Sequence, residues 1–236
     1  MSKKLKLSTT KCHKMHVGKM TTHCPDLKVH NNNMEITEKE KYLGDILVNN
    51  AKILKTIEDR QAKGFGQVTQ ALAILSEIPL GRFKIQMGLH LRQAMLINGI
   101  LTNSEVAYGL SDNQIEALEK VDEYLLRNLL NAHSKTAKET LYLETGTKPI
   151  RFIVKHRRLM YLHHILTREE NELINRVYKS HLMKPTKNDW VNTLSKDKKE
   201  MGIKLTDEEI KTYSKKKFKK YVKEKINIEC MQYLNN

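Results

Sequence analysis

The chain has 236 residues with 42 Lys and Arg against 27 Asp and Glu, a formal net charge of +15 and a pI near 9.6. That length can bury a core without disulfides or a structural metal. Three cysteines, Cys12, Cys24 and Cys230, are too few and too scattered for a disulfide framework and fit a reducing compartment. No apolar run approaches the roughly 20 residues of a membrane span, and the N-terminus lacks a signal-peptide core; the expectation is a soluble intracellular protein, nuclear or cytoplasmic, with no membrane partner.

Up to about Val48 the chain reads as short extended pieces: HKMHV, then LKVH and MEI on either side of Asn31-Asn32-Asn33, then KYLGDIL. Asparagine tolerates positive φ, so the triple reads as a hairpin turn. From Ala51 the period becomes helical. Leu54, Ile57, Phe65, Val68, Leu72, Leu75 and Ile78 line one face, and Pro79 and Gly81 end that helix. The next segment, RFKIQMGLHLRQAMLINGILTNSEV, is apolar on more than one face and belongs centrally.

Ser111 with Gln114 is a capping box opening a helix whose stripe is Ile115, Leu118, Val121, Leu125 and Leu129; Thr136 with Glu139 repeats the device. Gly146 and Pro149 punctuate before the basic helix IRFIVKHRRLMYLHHILTRE, where one of His163 and His164 packs and the other meets solvent. Pro185 marks a further break. Thr206 with Glu209 opens a long helix containing KKKFKKYVKEK, with Phe218, Tyr221, Val222 and Ile226 as an apolar stripe under lysine. The fold class is mainly α with a small N-terminal β element.

Excess positive charge favours a polyanion through counterion release and steering, and nucleic acid is the first suspect. No GxGxxG, P-loop or GxSxG motif occurs, no two aspartates are adjacent, and the acidic clusters sit on solvated helix faces. Cys12, His16, Cys24 and His30 form C-x3-H-x7-C-x5-H, four ligands of the kinds zinc takes. On a strand, though, Cys12 and His16 lie about 13 Å apart at roughly 3.3 Å per residue, too far for ligands about 2 Å from one ion. A turn or helix at that place would restore the site.

Read together, these segments resemble the C-terminal part of a reverse transcriptase of the non-LTR retrotransposon type. SerThrThrLys at Ser8 to Lys11, followed by an alternating strand, resembles the family's motif D, with Ser8 where Asn is common. KYLGDIL, Lys41 to Leu47, resembles motif E, the primer grip, whose Tyr-Leu-Gly core follows a β-hairpin. The stretch from Arg60 to Glu105 looks like the family's thumb, as does YGL at Tyr108 to Leu110, although Ala107 stands where Trp is frequent. HSKT at His133, LETGTKPIRF at Leu143 and RRLMYLHHILTR at Arg157 continue the likeness, which spans about Leu5 to Trp190.

The resemblance implies an end of the palm with short antiparallel strands over 1–48, a thumb-like helical bundle over 49–133 and a basic helical extension over 134–236. Lys11 then matches a lysine near the incoming triphosphate, a proposed general acid for the leaving group. Tyr42, Leu43 and Gly44 match the primer grip. Arg60, Lys63, Arg82, Arg92, Arg157 and Arg158 are candidates for contacting an RNA or RNA/DNA duplex by charge and shape. The complete enzyme uses palm aspartates with Mg2+; the chain starts at motif D, so it needs no cofactor itself, is not expected to polymerise alone, and has the palm and fingers portion as a further partner. The alternative is a decayed or domesticated basic helical protein, a nucleic-acid binder or scaffold, with no polymerase role. The family's frequent terminal Cys/His knuckle is missing, since Cys230 stands alone.

Overall fold

Three short ladders carry the β structure of the computed structural model, which describes residues 12–17, 26–29, 32–42, 44–50, 54–106, 110–184 and 189–235. β1 (His13–Lys14) runs parallel to β4 (Glu35–Ile36), while β2 (Lys28–Val29) is antiparallel to β3 (Asn32–Asn33). Val29 faces Asn32, so Asn32 and Asn33 are strand residues and not the turn expected of the asparagine run. MEI touches LKVH only at its first residue: Met34 donates to the Leu27 carbonyl at 3.1 Å, and Glu35–Ile36 then pairs with β1.

β5 (Lys39–Tyr42) and β6 (Asp45–Val48) form an antiparallel hairpin in which Tyr42 faces Asp45. Gly44 stands between the two strands and adopts φ +93°, a region open to glycine. Of the Tyr-Leu-Gly element, Tyr42 thus ends β5 and Gly44 lies between the two strands. Thr56 binds β6 from the side: its hydroxyl accepts from the Ile46 amide at 2.9 Å and donates to the Ile46 carbonyl at 3.0 Å.

Among the described residues, helices account for 67% and strands for 8%. In order they are α1 (Leu54–Ser76), α2 (Arg82–Leu91), a π-helical stretch (Arg92–Ile97) that continues it, α3 (Asn98–Ile100), α4 (Asp112–Leu130), α5 (Lys138–Thr145), α6 (Ile150–Leu166), α7 (Leu173–Met183), α8 (Trp190–Glu200), α9 (Asp207–Thr212) and α10 (Lys215–Asn235). Two compact units divide at Asp59 and Arg60, inside α1. The boundary expected at 133–134 falls within the second unit, where the buried Glu119 carboxylate of α4 takes two bonds from the Arg151 side chain of α6, at 2.9 and 2.6 Å.

α4 shows how the sequence builds the second unit. Ser111 and Gln114 close a reciprocal capping box at its start, and the stripe Ile115, Leu118, Val121, Leu125 and Leu129 is buried. α4 packs against α2, the π-helical stretch, α5 and α6, and α6 in turn packs against α7, α8, α9 and α10. Gly88 lets α2 approach: a Cβ built there would lie 2.2 Å from Leu129 Cδ2.

Three helical expectations are corrected. On α1 the buried residues are Thr56, Ile57, Arg60, Gly64, Val68, Ala71 and Leu75, whereas Leu54 and Phe65 are exposed; small and charged positions share that face with the aliphatic ones. α5 begins one residue later than the Thr136 and Glu139 box would require: Ala137 is its N-cap, with no side-chain cap, and Glu139 falls at the second helical position instead of the third. Thr206 and Glu209 do form their box, but it starts the six-residue α9; the lysine-rich helix is a separate element beginning at Lys215.

Candidate nucleic-acid interface

The sequence-selected residues separate into distinct environments. Lys11, Leu43, Cys24 and His30 lie outside the described residues, as does most of the Tyr108 element. Tyr42 and Gly44 are exposed, and Cys12 and His16 are half-buried. Among the described residues, no three His, Cys, Asp or Glu side chains gather as metal ligands, and no helix is long and apolar enough to cross a membrane. Lys63 and Arg82 are exposed.

Arg60, Arg92 and Arg158 are buried, which corrects their reading as surface cations. Arg92 makes a two-bond fork with Asp122, at 2.6 and 2.7 Å, and a third bond of 3.0 Å to the Lys148 carbonyl. The Tyr142 hydroxyl donates to the same carboxylate at 3.2 Å. Burial works against the Arg92 charge, but Asp122 outweighs it and raises the arginine's pKa; burial and then Asp122 hold the Tyr142 phenol well above its ordinary value. Its charge is consumed inside the fold.

Arg158 and Asp197 form a poorer pair. Nη1 and Oδ2 are 3.2 Å apart, yet neither atom makes a hydrogen bond. Burial therefore dominates both groups, lowering the Arg158 pKa and pushing Asp197 up to about 6. Arg157, half-buried, donates to the Leu101 carbonyl at the end of α3. Burial lowers its pKa too.

The surface charge is concentrated on α10, which carries seven lysines and two glutamates. Phe218, Val222, Ile226, Cys230 and Leu234, spaced one turn apart, are buried. That spacing drives Lys215, Lys216, Lys217, Lys219, Lys220 and Lys223 outward, all exposed. Among the described residues none of these six forms an ion pair. Phe218 does not present a ring for bases; it stacks on the buried His163 at 5.1 Å. His164 is exposed, so one histidine of the pair packs and the other meets solvent.

A corner between α9 and α10 shapes the adjoining surface. Tyr213 is extended, its carbonyl 2.8 Å from His163 Nε2, and Ser214 caps α10 by accepting from the Lys217 amide at 3.4 Å. Between this corner and α6 lies a groove of 620 Å³ lined by His156, Arg157, Tyr161, His164, Tyr213 and Lys215, with Glu105 at its side. His156 is half-buried; burial first, then Lys219, Lys148, Arg157 and Lys223, hold its pKa below the usual histidine value. The groove edge is strongly positive. Sequence reasoning found the lysine run but missed Tyr213 and His156; Ser214 directly before the lysines was the local signal for the break.

Comparison with family models, with curated proteins and with solved structures gives no match to this chain.

Proposed function

We infer that the chain is the C-terminal part of a reverse transcriptase of the non-LTR retrotransposon type, and that it holds RNA or RNA/DNA duplex through the backbone without polymerising alone. The observation that carries the binding half is the α10 face, six exposed lysines with no carboxylate partner among the described residues. Held close together, such charges repel, and phosphates neutralise them with release of counterions. The family half rests on the ordered likeness from Leu5 to Trp190, with the hairpin at Tyr42 to Asp45 followed by helices in the expected order.

On this reading, the magnesium chemistry of the complete enzyme belongs to other residues. No adjacent aspartates occur in the sequence, and no three metal-ligand side chains gather among the described residues. The chain's own contribution is to bind and orient nucleic acid.

One observation favours a second reading. The lysine face lies beyond the segment that resembles the family, and three of the six thumb and post-thumb cations serve the interior. A basic helical nucleic-acid-binding protein with no polymerase role fits those facts. Titration of the purified chain with RNA/DNA heteroduplex, RNA duplex and DNA duplex at two salt concentrations separates the two. Preference for heteroduplex supports the first reading, and equal affinity for all three supports the second. No binding even at low salt overturns both.

A further inference from the structure

We propose that the groove between α6 and the α9–α10 corner holds a short single-stranded stretch of nucleic acid, its phosphates toward α10 and its bases toward Tyr161, His164 and Tyr213. This rests on the nucleic-acid reading above and gives that partner a second, distinct site. The groove follows α6 from His156 to Thr167, about 16 Å at roughly 1.5 Å per residue. Its 620 Å³ lies within the range of pockets that enclose small organic guests.

The chemistry of the walls differs from one side to the other. His156 faces the α10 lysines, since Lys219 and Lys223 are among the charges acting on it. Arg157 and Tyr161 face Glu105, whose charge acts on both. Phosphates are thus attracted along the α10 wall and repelled from the Glu105 wall. Glu105 Oε2 is buried and makes no hydrogen bond, an acceptor that the groove leaves unused. Turning the Glu105 side chain into the groove would offer this carboxylate to the N–H donor that every nucleobase carries on its pairing edge, without choosing a sequence.

Rings for stacking are already in place. Tyr161 and the exposed His164 stack at 6.0 Å with planes 25° apart, and Tyr213 lines the groove from the corner. Aromatic faces beside a cationic track are how proteins hold single strands without reading sequence.

The test uses the full chain and a short labelled RNA, the same backbone lacking bases, an RNA/DNA heteroduplex and a polyglutamate peptide. His164→Ala and Tyr213→Ala are each expected to weaken the RNA by about tenfold and to leave heteroduplex affinity unchanged, with thermal unfolding followed in parallel. His164 is exposed, so its variant remains informative even if Tyr213→Ala unfolds. Equal affinity for the base-free backbone, equal affinity for polyglutamate, or no effect of His164→Ala overturns the groove proposal. Heteroduplex binding without single-strand binding overturns it alone; no binding to any nucleic acid removes the reading beneath it as well.

Discussion

Arg92 and Asp122 meet as a buried two-bond fork, Nε to Oδ1 at 2.6 Å and Nη2 to Oδ2 at 2.7 Å, joining the π-helical stretch to α4. Removing one partner leaves the other charge without compensation in the interior. Arg92→Leu is expected to cost about 3–5 kcal/mol, and Arg92→Leu with Asp122→Leu together much less than the sum of the single changes. Urea denaturation of the three variants measures this, and strict additivity would contradict the coupling.

Gly88 sets the closeness of α2 to α4. An added methyl would meet Leu129 Cδ2 at 2.2 Å and Cδ1 at 2.8 Å, and Leu129 is itself fully buried. Gly88→Ala should therefore destabilise the second unit by about 1–3 kcal/mol despite alanine's better helix propensity. A gain in stability would mean that the helices separate freely.

Asp197 makes stability depend on pH with a definite sign. Its carboxyl holds a proton up to about 6 in the fold, against 3.8 without the burial, and Arg158, Lys155 and Lys196 only partly oppose that. The folded chain binds more protons than the unfolded one between those values, so this group's contribution falls as pH rises from about 4 to about 6 and is constant above. Asp197→Asn should remove that slope. The readout is the difference in unfolding free energy between wild type and variant across the window.

Lysines on α10 and cations on α1 and α2 make separable predictions. If Lys216 and Lys220 each contact a phosphate, Lys216→Gln and Lys220→Gln should each lower the salt slope of heteroduplex binding by about one. Lys63→Gln and Arg82→Gln test the contribution expected from the thumb resemblance. Loss in the first pair with none in the second would place binding on α10 and remove the thumb contacts.

What could be read from sequence followed the apolar code. The α4 stripe and its Ser111 cap were visible because five aliphatic residues repeat without interruption and the cap is local. On α1, Gly64 marks a close contact, where a Cβ would lie 2.9 Å from Ile100 Cγ2 and Val121 Cγ1, and glycine does not advertise itself as apolar. Arg92 shares a face with Gly88 and Leu96, and Arg158 with Val154 and Leu162, all buried. That position was a usable sign of burial. The partner was not, since Asp122 stands 30 residues away and only folding brings it near. The groove was illegible for the same reason: His156 and Tyr213 belong to different helices' surroundings, joined by the bend that separates α9 from α10.

The hydroxyl of Thr56 occupies both peptide groups of Ile46. An incoming strand would need those same groups to pair along the outside of β6. The β5–β6 hairpin is thereby sealed at that point against growth on its β6 side, and the lock consists of one side chain from the first turn of α1. Thr56→Val would keep the shape and remove the lock, turning a guarded margin into one able to recruit a neighbouring chain.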